Sequence, residues 1–96
     1  HIGERFTGII SSVMSFGLFI ELPNLIEGLV RVEDLKDDFY TFDEVSFSLI
    51  GAKNKRGYRL GDTVEVVVKN ANKDAKTIDF MIYKEQDGNT EPKSNI

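Results

Sequence analysis

The stretch "SFGLFIELPNLIEGLVRV", residues 15–32, decides how this chain is read. It is crowded with apolar residues, yet Phe16 and Phe19 stand three apart around Gly17. Successive side chains of a strand point to opposite faces. In a strand over 16–22, Leu18, Ile20 and Leu22 therefore share one face, and Phe19 and Glu21 take the other. Unbroken alternation would put Phe16 with the inward set. A glycine inside a strand often marks a bulge, and one extra residue reverses the facing of whatever precedes it. A bulge at Gly17 would bring Phe16 to the outer face beside Phe19. Pro23-Asn24 then supplies a turn. "EGLVRV" (27–32) makes a further strand, with Val30 and Val32 inward and Arg31 outward.

Working outward, other segments of high β-propensity are separated by Gly, Asn, Asp and Pro. "RFTGIISSVMS" (5–15) precedes the stretch. "TVEVVVKNA" (63–71) follows it, with Val64, Val66 and Val68 inward, and so does "KTIDFMIY" (76–83), with Ile78, Phe80 and Ile82 inward. "NKDA" reads as the hairpin turn between those two, and "EDLKDD" (33–38) as a short helical turn or acidic loop. Five short strands with almost no helix predict an all-β fold, a five-stranded antiparallel barrel, because closure removes exposed edges. Residues 37–60 are too many for a plain connection and form a long insertion between strands three and four. Two extra short strands or a hairpin-like excursion are expected there. The ordered domain spans 3–83, and the polar, aperiodic tail 84–96 is expected to be disordered.

Composition narrows the function classes. Ninety-six residues support one modest core. The formal net charge of −4 argues against generic attraction to nucleic acid, so any such binding must rest on a local patch. The absence of cysteine excludes disulfides and thiolate chemistry and is compatible with a reducing compartment. No apolar run is long enough to span a bilayer, so no membrane role is expected. The one histidine, His1, cannot assemble a nucleophile–base arrangement, and no glycine-rich phosphate loop is present. Asp37, Asp38 and Asp43 could gather a magnesium ion, although acids in a polar loop are usually just solvated. No cofactor is expected in this domain.

What remains is a surface. Phe16, Phe19 and Arg31 on one outer face would form a platform on which bases stack beside a phosphate contact. Small five-stranded barrels bind oligonucleotides across the face of strands two and three, where these residues fall. Lys53, Lys55, Arg56 and Arg59 lie within nine residues that hold no acid, and Tyr40, Phe42 and Tyr58 are close in sequence. They could hold a strand of nucleic acid, or simply be a solvated loop with its aromatics pinned on the barrel end. The competing reading is a protein- or ribosome-docking barrel, since an exposed apolar patch also describes a protein interface.

The motifs Gly8-Ile9-Ile10, Phe16-Gly17-Leu18-Phe19-Ile20, Glu27-Gly28-Leu29-Val30 and Leu60-Gly61-Asp62-Thr63-Val64, in that order, resemble the S1 domain family of RNA-binding OB-fold barrels. The insertion is similar, more narrowly, to that of the S1 modules in the ribonuclease R family of 3′-to-5′ exoribonucleases. The resemblance implies sequence-tolerant binding of single-stranded RNA. RNA degradation would fall to a magnesium-dependent catalytic domain absent from this chain, so the fragment itself is expected not to be an enzyme. It also implies a cytoplasmic, monomeric module with RNA and the parent's catalytic domain as partners. The family's RNA face maps onto Phe16, Phe19, Arg31 where histidine is usual, Asp74, and Thr77 where a basic residue is common. The loss of charge at Thr77 leaves phosphate contacts to Lys69, Lys76 or the insertion.

Overall fold

The computed structural model describes residues 2–72 and 77–83. The predicted 72–75 turn with Asp74, Lys76, and the tail 84–96 lie largely or wholly outside the described residues. Among the described residues eight strands form: β1 (Arg5–Met14), β2 (Gly17–Glu21), β3 (Glu27–Arg31), β4 (Tyr40–Asp43), β5 (Ser48–Gly51), β6 (Gly57–Arg59), β7 (Thr63–Asn72) and β8 (Thr77–Ile82). A 3₁₀ turn, Val32–Asp34, follows β3 and overlaps the start of the segment read as a short helical turn. Five strands close a barrel in the order β1-β2-β3-β8-β7, and β4-β5-β6 make a separate three-stranded sheet. The all-β, five-stranded barrel with a long insertion is therefore what the chain builds, and the insertion holds three strands rather than two.

Four seams of the barrel are antiparallel and the fifth, β3 with β8, is parallel. Direction must alternate at each antiparallel seam, and an odd ring cannot alternate all the way round. The short parallel ladder, Leu29 with Asp79 and Val30 with Phe80, closes it.

β1 serves two neighbours. Its first half pairs with β7 from Arg5↔Val67 to Ile9↔Thr63, and its second half with β2 from Ile9↔Glu21 to Met14↔Gly17. A bulge at Ser11, between the Ile10 and Ser12 pairs, turns the strand from one partner to the other. The inward residues Ile10, Val13, Leu18, Ile20, Val30, Val66, Val68 and Phe80 make the barrel core. The insertion is not an appendage. Leu35, Tyr40 and Leu49 belong to the same buried cluster, so the small sheet shares one hydrophobic core with the barrel.

The expected bulge at Gly17 is corrected by the structure. Residues 15 and 16 form a two-residue hairpin turn, and Gly17 begins β2 in regular register, opposite Met14 on β1 and Arg31 on β3. Gly17 is needed for a different reason: a Cβ there would run into the Val30 carbonyl oxygen. Gly17→Ala is expected to push β3 away from β2 and destabilise the domain by about 2–3 kcal/mol. Urea unfolding checks this, and a midpoint equal to wild type would contradict it.

Candidate nucleic-acid interface

Freed from the strand, Phe16 sits in the β1–β2 turn, 52% exposed. The turn is not loose, because the Val32 N–H donates to the Phe16 carbonyl oxygen at 2.9 Å. Phe19 stands on the outer face of β2, half-buried. The two rings meet edge to face, with centroids 6.1 Å apart and planes at 87°. That arrangement suits the ring quadrupoles and leaves a ring face free on the partly exposed pair. So the rings do come together, through the turn rather than through a bulge.

The bulge that does exist serves the same surface from behind. The Ser11 hydroxyl donates to Glu27 Oε2 at 2.5 Å and lies 3.2 Å from the Phe19 carbonyl oxygen. It thereby ties β1 to the two strands that carry the site.

Beside Phe19 lies a groove of about 270 Å³ whose lining includes Phe19, Glu27, Leu29, Arg31, Thr77 and Asp79. Strand register explains this grouping. Phe19 is opposite Leu29, and Leu29 is opposite Asp79 across the parallel seam. Arg31 lies two residues along β3 on the same face. Its Nη2 is 3.5 Å from Asp79 Oδ1, an exposed ion pair of the kind worth at most about 1 kcal/mol. A phosphate can therefore compete for this guanidinium. Sequence reasoning missed Asp79 and Glu27. The inward placement of Ile78 and Phe80 already put Asp79 outward, but only the β3–β8 seam shows that it faces Arg31.

The insertion residues sit elsewhere. Lys53, Lys55, Arg56 and Arg59 are all exposed, on the β5–β6 turn and β6, and none of them lines this groove. Asp38 builds that turn: its Oδ2 accepts the Lys53 and Asn54 N–H groups at 2.9 and 2.7 Å, and its Oδ1 accepts its neighbour Phe39 N–H. Asn54 Oδ1 accepts the Arg56 N–H at 2.8 Å. Tyr40 is only 9% exposed, its ring packs 5.5 Å from that of Tyr58, and its hydroxyl donates to Asp37 Oδ2 at 3.0 Å. It is a structural support of the basic turn and offers no free face for stacking. Lys69 is paired with Asp34 at 3.0 Å. Thr77 lines the groove beside Arg31, and Asp74 lies outside the described residues. Among the described residues no group of three or more His, Cys, Asp or Glu is placed to hold a metal ion, and no chemical step is assigned to one. No helix among them is long and apolar enough to cross a membrane.

A closed five-stranded barrel with an aromatic pair and a cation across β2 and β3 defines an oligonucleotide-binding type of module. The family profile for the S1 RNA binding domain matches residues 1–82. The chain belongs to that family. It is 49% identical over 82 residues to ribonuclease R of Ureaplasma parvum, covering 85% of this chain and 11% of that protein. Against ribonuclease R of Escherichia coli it is 48% identical over 82 residues, covering 84% and 10%. Mycoplasma genitalium RNase R, solved in complex with ribose-methylated single-stranded RNA, superposes with a TM-score of 0.79 at 30% identity over 85% of this chain and 13% of that one. The chain thus spans about a tenth of the length of these relatives.

Hydrogen bonding by the Asn54 N–H first, then those of Phe39 and Lys53, holds the Asp38 carboxyl below the usual carboxylate range, against some desolvation. A depressed folded-state pKa stabilises the fold above the unfolded value and loses that contribution as pH falls through the folded one. Urea midpoints are expected to fall below about pH 4, and to fall less steeply in Asp38→Asn. Identical pH profiles for the two proteins would contradict the role given to Asp38.

Proposed function

We propose that this chain binds single-stranded RNA, largely without regard to sequence, as the S1 module of a ribonuclease R-like 3′-to-5′ exoribonuclease. The observation that carries the reading is the edge-to-face Phe16–Phe19 pair beside Arg31 on the β2–β3 face of a closed barrel. Membership of the S1 family and the likeness to an RNase R solved with RNA support it. In this reading bases stack on Phe16 and Phe19, and Arg31 exchanges Asp79 for a phosphate. Thr77 borders the sugar–phosphate path, and Asp74 is assigned to the same RNA contact by the family resemblance alone. Lys53, Lys55, Arg56 and Arg59 contribute a longer-range field rather than contacts in the groove. Magnesium-dependent hydrolysis belongs to a catalytic domain outside this chain. We place the module in the cytoplasm as a monomer, a reading with which the absence of cysteine is compatible.

The face is poor in positive charge. Among the described residues Arg31 is the one basic residue lining the groove, against the acids Glu27 and Asp79. Stacking must therefore supply most of the affinity. Removing either ring as Phe16→Ala or Phe19→Ala is expected to weaken binding of labelled oligo-U by about 1–3 kcal/mol, roughly 5- to 150-fold. Equal affinities for wild type and the double variant would overturn the reading. The salt slope should be shallow, about −0.7 for each phosphate neutralised and one or two phosphates in all. Titrations at several salt concentrations measure it, and a steep slope would mean that the basic turn, not the aromatic pair, holds the RNA.

A further inference from the structure

The groove beside Phe19 has two chemically opposite ends. Glu27, Leu29 and Arg31 alternate along the outer face of β3, and all three line it. At about 3.3 Å per residue, the carboxylate and the guanidinium start from backbone positions roughly 13 Å apart. Phe19 stands opposite Leu29, midway between them. Phe16 belongs to the Arg31 end, because Gly17 pairs with Arg31 and the Phe16 carbonyl accepts from the Val32 N–H. Arg31 has its counter-ion in Asp79, at 3.5 Å, so Glu27 is not engaged in neutralising it.

Glu27 is held on one side only. The Ser11 hydroxyl donates to its Oε2, which anchors the side chain to the bulge of β1. Oε1 has no partner among the described residues. One oxygen thus sets the position of the carboxylate, and the other is open to whatever enters the groove.

An ionised carboxylate accepts hydrogen bonds and donates none. A base stacked on Phe19, with its phosphate toward Arg31, turns its far edge toward Glu27. Cytosine carries its N4 amine on that edge and donates to a carboxylate there. Uracil carries the O4 carbonyl in the same place, and two acceptors repel. The two rings are of one size, so stacking on Phe19 does little to separate them.

We propose that Glu27 sets the base preference of the Phe19 position, favouring a base with an exocyclic amine, cytosine among the pyrimidines, over uracil. The inference rests on the RNA-binding reading and narrows its sequence tolerance at that one position. The rest of the platform stays tolerant, because a ring face accepts any base.

Fluorescence-anisotropy titrations of the chain with oligo-C and oligo-U of equal length, at neutral pH, test it. Wild type is expected to bind oligo-C about fivefold more tightly, the lower end of what one base contact discriminates. In Glu27→Gln the amide still accepts from Ser11, so the fold is kept, but it also donates to a carbonyl. The ratio is expected to fall to about one, chiefly through a gain for oligo-U. Losing a carboxylate helps any polyanion to bind, so the ratio rather than either affinity carries the test. Equal affinities in wild type, or a preference for oligo-U, would overturn the proposal. A preference for oligo-C that survives in Glu27→Gln would do so too, by leaving Glu27 only its tie to Ser11. Failure of both RNAs to bind would overturn the RNA-binding reading and this proposal together, whereas binding of both without preference would overturn this proposal alone.

Discussion

An odd ring of strands must contain a parallel seam, and the site in this domain depends on where that seam falls. It lies between β3 and β8, at Leu29–Asp79 and Val30–Phe80. Without it, Arg31 would have no acid opposite it and Phe19 would look onto a sheet edge. With it, residues 48 positions apart in sequence form one groove with a guanidinium held in reserve by a weak ion pair. The close approach of β2 and β3 at Gly17 supports the same geometry. That glycine lets the Val30 carbonyl come up against the β2 backbone, which draws Arg31 in under the Phe16 turn.

The acidic balance of the chain is consistent with a stacking surface and inconsistent with a phosphate-tracking one. Stacking draws on ring faces that any base can use, whereas counterion release scales with the number of cations brought to the backbone. Among the described residues one arginine is the only cation lining the groove, and the basic turn is set on another sheet by the Asp38 and Asn54 network.

The insertion shows how a segment that looks peripheral becomes part of the core. Residues 37–60 bring Leu49 and Tyr40 into the same buried cluster as Leu18 and Val30. Their outward side is then free to carry the charged turn. Tyr40 illustrates the exchange: the same ring that could have stacked on a base is committed to packing against Tyr58 and to holding Asp37.

β-Propensity and alternation along the chain were enough to determine the five barrel strands, the inward residues of β2, β7 and β8, and the outward Phe19 and Arg31, because facing in a strand is a local, period-two property. Motif order was enough to determine the family. The facing of Phe16 was legible as a result but not as a mechanism: the turn at 15–16 and a regular Gly17 achieve it, and the bulge falls at Ser11 instead. A bulge depends on which neighbour each half of β1 must pair with, and that is a tertiary fact. The pairing of Arg31 with Asp79 and the separation of the basic turn from the groove were likewise decided only by the closed barrel. Each depends on which strands become neighbours, and neighbours far apart in sequence leave no local period to read.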